Sequence, residues 1–466
     1  MNTLKYFIFI LFISLIASCN KLDEKVYSQN SPDSFFSSQT DVAAALVGMY
    51  RPLQACCGSY EQAGTFILNT ASDEGNAQSS WGQFDQLTYS ATGPAEIGDL
   101  WGTTYRSIAS ANFVLDNEAK ITVLDKTSDK SYTKQVLAEA KFIRALNYFQ
   151  LVQMFGGVPL RTTQAKRADE VDIPRNTEEE VYTLIISDFT DAAANLPETN
   201  VKGKPTKWAA TAFLAKVYLT RKDYPNAVAQ ADLVINSGVY TLQPKFEDIF
   251  DVNKKGNNEV IFDIQYIRTD GQGMRMEPLV LGPNDLFAAG GTGGWGLSSM
   301  EDGFYNKYVP TDERIKTTFS NPAPGQVTYY AGKWKDPAGV SADGHANNFI
   351  VYRYADLMLI KAEAENEVNG GPDAAAYAAI NAIRSRASLA DLSGLSQDAF
   401  RDAVLWERHL ELAYEEIRWF DLKRTGRLKE ALIAAGKKWD DRFYLFPVPQ
   451  SEIDASNGLI KQNPGY

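Results

Sequence analysis

The chain has 466 residues, of which 44% are hydrophobic and 22% charged, so it can bury a large core in several domains or in one helical array. Its formal net charge of −12 disfavours nucleic acid and anionic lipid as partners, because both would be repelled. The three cysteines and two histidines lack the spacing of zinc sites, and so few histidines argue against histidine-dependent catalysis.

A short apolar segment at the amino terminus is typical of an export signal. Lys5 precedes an apolar run over 7–16, which is shorter than the roughly 20 residues that span a bilayer. The run ends in the sequence IASC, which resembles a bacterial lipobox and whose cysteine is Cys19. We interpret residues 1–18 as a lipoprotein signal peptide and Cys19 as the lipidated first residue of the mature chain. A plain secretory signal with a chance cysteine is the alternative.

Residues 19–39 are polar and rich in serine, as expected of a tether, and helical periodicity begins after them. Apolar residues at helical spacing over 181–196 predict one helix. Thr177 and Glu180 form a capping box at its start, and a Leu-Pro step marks its end. A second apolar face over 142–152 precedes it, so the two predict a helical hairpin.

Further hairpins follow the same pattern of helix, short turn and helix. Alanines occupy the positions where the helices would approach most closely, as stacking of the tetratricopeptide type requires. The spacing is irregular, so the sequence predicts a degenerate set of hairpins with insertions. The predicted segments are 206–220 with 224–238, 354–368 with 372–387, and a further helix that starts at Phe400.

Two long segments interrupt this periodicity. Both are irregular, and 240–349 is rich in Gly, Pro, Asn and Tyr, with one predicted strand over 258–267. Long irregular segments are usually functional or disordered, and the aromatic content argues against disorder. The chain is therefore predicted to be mostly α, as one domain over 40–466. Its helical scaffold is expected mainly over 104–238 and 350–435, and its loop-rich binding region mainly over 54–103 and 239–349.

Several long motifs together resemble the SusD/RagB family. The resemblance extends in order along the mature chain and follows a lipobox-like cysteine. It implies a SusD-like scaffold of tetratricopeptide-like helix pairs that carries a variable, loop-rich region. The motifs are AEAKFIRALNYFQLVQMFGGVPL (138–160), VYRYADLMLIKAEAENEV (351–368), WERHLELAYEEIRWFDLKRTG (406–426), LFPVPQSEI and the terminal QNPGY.

The resemblance also implies a function. Family members are lipoproteins of the outer surface of Bacteroidota that bind nutrients, usually glycans, and cap a SusC-like TonB-dependent transporter in the outer membrane. We therefore expect a non-catalytic, lipid-anchored protein that faces the cell surface and delivers oligo- or polysaccharide to such a transporter. A peptide-binding uptake lipoprotein of the same family, a surface glycosidase and a pure assembly adaptor are the alternatives.

Two glycine-containing motifs do not form cofactor or metal sites. GTGGWG at 291–296 matches GxGxxG, but no helical stripe follows it, so we interpret it as a binding loop rather than a dinucleotide site. DVNKKG at 251–256 begins like a calcium loop, but Lys255 and Phe262 stand where oxygen ligands are required. No cofactor is expected, and a calcium site built from other loop carboxylates stays open.

The acidic motifs do not indicate catalysis. In ERHLELAYEEIR at 407–418, acids and arginines lie three residues apart, which is the pairing distance of a helix and favours a scaffold role. Asp73 and Glu74 are adjacent, so in an extended chain they point in opposite directions and make a poor acid–base pair. Asp73 and Asn76 are better interpreted as hydrogen-bonding partners of sugar hydroxyls.

Aromatic residues are concentrated in the two irregular segments, where they predict a glycan site. An aromatic plane receives the apolar face of a sugar ring, and loops on a rigid scaffold are the usual position for such contacts. Packing of each ring on the helices is the alternative, because tryptophan is commonly buried. Family members resemble this chain in carrying ligand-binding aromatics on loops of these two regions. The predicted contacts are Trp81, Trp295, Tyr330 and Trp334, with Asp73 and Asn76 as polar partners.

Overall fold

The computed structural model describes residues 35–55, 58, 60–165, 167, 170, 172–282, 294–320, 328–341 and 344–466. The predicted signal peptide, the proposed lipidation residue Cys19 and the tether up to residue 34 lie outside the described residues. Among the helices of the described part, none is long and apolar enough to cross a bilayer.

The described chain is mostly helical, which confirms the predicted fold class. The longer helices are α1 (Gln39–Tyr50), α2 (Ala95–Asp116), α3 (Glu118–Leu124), α4 (Ser131–Phe155), α5 (Glu178–Asn195), α6 (Lys207–Thr220), α7 (Tyr224–Asn236), α8 (Tyr354–Val368), α9 (Ala374–Arg386), α10 (Gln397–Glu411), α11 (Arg418–Arg424) and α12 (Leu428–Ala434). Shorter helical turns occur at Gln62–Gly64, Thr65–Thr70, Gly82–Asp85, Glu247–Phe250, Met276–Val280, Ile315–Thr318 and Gln450–Ala455.

The strands are short and pair only in twos within the described residues. β1 pairs with β3, β2 with β6, and β4 with β5, all antiparallel. The strands are β1 (Gly75–Ala77), β2 (Val260–Ile264), β3 (Ser298–Met300), β4 (Phe319–Ser320), β5 (Tyr330–Ala331) and β6 (Phe349–Arg353).

The helices pack in succession, as stacked hairpins do. α4 packs on α2 and α5, α5 on α6, and α6 on α7, while α8 packs on both α9 and α10. The capping box of α5 is present, since Thr177 accepts from the backbone of Glu180 and the Glu180 carboxylate accepts from that of Thr177. The apolar faces buried between neighbours stabilise these helices more than intrinsic propensity does.

The loop-rich segment between α7 and α8 is an insertion into this stack. α7 packs directly on α8, although residues 237–353 separate them in sequence. The β2–β6 pair closes the base of the insertion. Phe262 of β2 lies 5.0 Å from Phe142 of α4, and Tyr352 of β6 lies 5.1 Å from Phe213 of α6, as ring-centroid distances. The inserted loops are therefore anchored on the hydrophobic core of the scaffold.

The first loop-rich segment is shorter than the sequence predicts. α2 begins at Ala95, inside the segment 54–103, because Ile97, Leu100 and Trp101 bury one face of it. Trp101 is thus a core residue of a helix, in edge contact with Phe155 of α4 at 5.0 Å.

The charged motif at 407–418 belongs to the scaffold, but its residues do not pair along a helix. Glu411 ends α10 and pairs with Arg353 and Arg386, while Glu415 and Arg418 lie beyond the helix and pair with Arg353 and Asp73. Arg408 instead pairs with Asp356 and Asp421, which lie on α8 and α11. The motif therefore ties three helices together through buried charges.

Candidate functional site

A two-stranded ribbon joins the two loop-rich segments. In the register of β1 and β3, Gly75 lies opposite Met300 and Ala77 opposite Ser298. The backbone N–H of Gln78 donates to the carbonyl of Leu297 at 3.0 Å, which extends the pairing by one residue. Because the strands are antiparallel, the residues that follow β1 and those that precede β3 lie at one end of the ribbon. We call this the aromatic end, because it carries the predicted contact residues Trp81 and Trp295.

Two glycines explain why Trp295 is exposed at the aromatic end. A Cβ on Gly294 would lie 2.2 Å from the carbonyl oxygen of Leu281, so only glycine fits there. Gly296 has a φ of +62° and donates its N–H to the same carbonyl at 3.0 Å. The backbone on both sides of Trp295 is thus held against Leu281, and the indole remains 44% exposed.

Trp81 lies in the short helical turn Ser79–Trp81 that follows β1, and its ring is fixed and half-buried. It is stacked on Phe66 with a centroid distance of 4.3 Å and an angle of 5° between the planes. Its indole Nε1 donates to the carboxylate of Glu96 at 2.6 Å. Phe66 occupies one face of the indole, so only the opposite face can receive a ligand.

Asn76 lies on β1, opposite Ser299, and is half-buried. Its Nδ2 reaches the carbonyl oxygen of Met300 only at 3.5 Å, which is the long limit of a hydrogen bond. The amide therefore keeps most of its donor and acceptor capacity. The sequence reasoning did not single out Gln78, which is exposed and follows β1 directly toward the aromatic end.

Asp73 lies at the other end of the ribbon. Its two carboxylate oxygens accept from Nε and Nη2 of Arg418 at 2.7 and 2.8 Å, and the residue is 5% exposed. Asp73 is therefore committed to a bidentate ion pair that ties this segment to α11. The structure does not bring it together with Trp81 and Trp295, so we no longer group it with them.

Two of the predicted contact residues are packed inside the protein. Trp334 is 1% exposed and stacks parallel to Phe349 of β6 at 5.4 Å. Tyr330 of β5 is 8% exposed and packs against Gly282. Neither ring presents a face to solvent, so we leave both out of the proposed contact set. Tyr305 and Tyr329 are half-buried and stack on each other at 4.3 Å, beside β3.

The ribbon is backed by a buried acid and a buried histidine. Burial raises the pKa of Glu74 to about 8, because the charged carboxylate is desolvated. Burial also lowers the pKa of His409 well below its usual value, so the imidazole is neutral at pH 7. Its Nε2 lies 3.6 Å from Oε1 of Glu74, which is too long for a hydrogen bond.

The acids of the charged motif at 407–418 are not arranged as a catalytic pair. Glu407 and Glu411 are fully buried, and both pair with Arg314. Glu415 is 4% exposed and pairs with Lys333 at 2.6 Å. Within the described ranges, no cluster of His, Cys, Asp and Glu could hold a metal ion.

The fold is a stack of helical hairpins, and an inserted loop region displays aromatic side chains on it. This arrangement defines a helical-repeat scaffold suited to ligand binding. Comparison with known proteins identifies the family of the chain. Residues 21–219 match a SusD-like family model described as starch-binding and associating with the outer membrane, and residues 320–466 match the model of the SusD family. The chain belongs to the SusD/RagB family.

Individual relatives extend over nearly the whole chain. A SusD-like protein of Formosa agariphila is 30% identical over 98% of this chain and 99% of its own length. A solved laminarin-binding SusD-like protein is 28% identical, with a TM-score of 0.79 over 92% of this chain and 100% of its own. A SusD superfamily protein of Parabacteroides distasonis is 26% identical, with a TM-score of 0.81 over 92% of this chain and 99% of its own.

Proposed function

We propose that this protein is a non-catalytic lipoprotein of the cell surface that captures oligo- or polysaccharide and delivers it to a SusC-like TonB-dependent transporter. The observation that carries the proposal is the position of Trp81 and Trp295 at one end of the β1–β3 ribbon. The two residues come from distant parts of the chain, and each ring keeps a surface that a ligand can cover.

The chemistry of the aromatic end suits a neutral sugar. A pyranose has an apolar C–H face, which the exposed indole of Trp295 can cover, and a rim of hydroxyls that side-chain amides can bind. Asn76 and Gln78 place such amides on the strand that leads to Trp81. The anchored scaffold fixes the rings before binding, so little entropy is lost when the ligand arrives.

The relatives support the carbohydrate class. The family model matched by residues 21–219 is described as starch-binding, and a structural relative at 28% identity is described as laminarin-binding. Starch and laminarin are both neutral glucans, so glucans are the first ligands to test.

The absence of catalysis is part of the proposal. Glycoside hydrolysis needs two carboxylates that face a scissile bond from opposite sides. Glu407, Glu411 and Glu415 of the motif at 407–418 are instead buried and bound to arginine or lysine. Such carboxylates have no path to a glycosidic oxygen.

The anchor and the transporter complete the proposed role. Lipidation of Cys19 would hold the protein at the outer membrane, since acyl chains on one residue add membrane affinity with every buried CH₂, at about 0.8 kcal/mol each. The polar segment that follows Cys19 would link the lipid to the folded domain. Release inward requires that the affinity for the glycan stays modest.

A binding panel tests the proposal. The mature chain, in a detergent without sugar headgroups, is measured by affinity electrophoresis and calorimetry against starch, laminarin, other plant and host glycans, and a peptide library. We expect binding to a neutral glycan, and a loss of about tenfold in affinity for Trp295→Ala, because an aromatic contact is removed. The control is Leu233→Ala, a similarly exposed residue (54%) on α7. Binding to peptides and to no glycan would overturn the proposal in favour of peptide uptake.

A further inference from the structure

A second concave surface lies at the end of the ribbon opposite to the aromatic end. It is a cleft of about 670 Å³, within the size range of small-molecule sites. Its walls come from the turn 301–307 after β3 and from α10, α11 and α12. Asp73, which precedes β1, also lines it. The 3 residues of β1 separate the cleft from the aromatic end. At about 3.3 Å per residue, this separation is about 10 Å.

One wall of the cleft is an exposed indole. Trp406 lies on α10 and is 46% exposed, although its neighbours on the buried face of that helix are almost inaccessible. Its ring makes an edge contact with His409 at 6.0 Å. A large apolar ring of this kind at the rim of a polar cleft is what the apolar face of a sugar requires.

Exposed carboxylates supply the hydrogen-bonding groups of the same cleft. Asp302 and Glu430 line it and are exposed to solvent. A carboxylate accepts hydrogen bonds, and a sugar hydroxyl can donate them. His409 also lines the cleft but is only 2% exposed, so its ring supports the indole of Trp406 from below.

The charges of the cleft select against anionic ligands. Six acidic residues and three basic residues line it. All three cations are already near carboxylates: Arg418 binds Asp73, Arg427 pairs with Asp402, and Lys307 lies 4.0 Å from Asp73. The net negative charge of the cleft would therefore repel a uronate or a sulfated sugar, whereas it would not repel a neutral hexose.

We propose that this cleft is a second saccharide site, in which Trp406 receives the ring of a neutral hexose and the exposed carboxylates of Asp302 and Glu430 accept from its hydroxyls. The inference deepens the proposed function and rests on its ligand class, but it concerns a different surface. The aromatic end and the cleft would hold separate parts of a glucan or separate glucan chains.

Fluorine NMR of the eight tryptophans tests this directly. The mature chain is labelled with 5-fluorotryptophan in sugar-free detergent and titrated with laminarihexaose and with maltohexaose. Variants Trp406→Phe and Trp295→Phe assign the two resonances. We expect the Trp406 resonance to move saturably with at least one hexaose, and to move equally in the double variant Trp81→Ala/Trp295→Ala. An oligomannuronate of equal length should leave it unchanged.

Calorimetry with the same hexaose gives the second measurement. Trp406→Ala should lower the affinity of the cleft about tenfold. Trp406→Phe should cause a smaller loss of affinity, and Leu233→Ala should leave the affinity unchanged. If the Trp295 resonance moves and that of Trp406 does not, the cleft proposal is overturned while the proposed function stands. If no resonance moves with either hexaose, the cleft proposal and the proposed function are both overturned for glucans. An equal response to oligomannuronate would overturn the selectivity for neutral sugars.

Discussion

The buried charge network around Arg353 gives the sharpest prediction about what holds the inserted loops on the scaffold. Arg353 ends β6 and is 1% exposed. Its guanidinium donates to Glu415 at 2.7 Å, to Glu259 at 3.0 Å and to Glu411 at 2.6 Å. It thereby joins the base of the insertion to α10 and to the segment that precedes β2.

Arg353→Met keeps the aliphatic stem and removes the charge from among three buried carboxylates. Removal of one partner from a buried ion pair costs about 3–5 kcal/mol in the free energy of unfolding. Each carboxylate retains at least one other cation: Arg386 pairs with Glu259 and Glu411, Arg314 also pairs with Glu411, and Lys333 pairs with Glu415. We therefore expect a loss near the lower limit, about 3 kcal/mol.

Urea denaturation at pH 7, followed by tryptophan fluorescence, measures this loss. The matched control is Arg427→Met, because the side chains of Arg427 and its partner Asp402 are 42% and 60% exposed. Exposed pairs contribute about 0–1 kcal/mol, so the control should lose little. A loss below about 1 kcal/mol for Arg353→Met, equal to that of the control, would show that this buried network does not hold the insertion in place.

Three further predictions concern the buried acid, the anchor and the display of the exposed indole. The unfolded state loses the proton of Glu74 near pH 4.3, whereas the folded state keeps it up to about pH 8, so this residue lowers stability as pH rises through that window. Glu74→Gln should flatten the decline of the urea midpoint between pH 5 and 8, and an unchanged slope would contradict the raised pKa. Cys19→Ala should move the protein from the membrane to the soluble fraction with glycan affinity unchanged; lost affinity in a folded variant would show that the anchor and the site are coupled. Gly294→Ala places a Cβ 2.2 Å from the Leu281 carbonyl, so it should weaken glycan binding about as much as Trp295→Ala does, and wild-type binding would contradict the role given to this glycine.

The scaffold could be predicted from the sequence because its signals are local. Apolar periodicity located α5 and α8, and the capping box at Thr177 marked the start of α5. β2 fell within the strand predicted over 258–267. The end of α10 was missed, since the acids and arginines beyond it keep a helical spacing although their partners lie on other elements.

The site could be predicted only in part, because burial is decided by contacts between distant residues. Trp295 and Trp334 stand in similar glycine-rich surroundings, yet one is 44% and the other 1% exposed. Phe349, which covers Trp334, belongs to a strand that the sequence did not place beside it. Likewise, the partner of Asp73 is Arg418, which lies 345 residues further along the chain.

Trp406 was missed for a different reason. Its sequence surroundings are charged and helical, so the motif was assigned to the scaffold as a whole. The available signal was a large apolar residue between the buried positions Leu405 and Glu407 of α10, where the helix faces outward.

Glycan binding at the aromatic end of the β1–β3 ribbon can be observed in a crystal structure of the mature protein with the panel glycan of highest affinity. We expect a sugar ring stacked on Trp295, with Trp81 in contact and a hydroxyl within hydrogen-bonding distance of Asn76. A glycan bound only at surfaces that lack both tryptophans would contradict this expectation.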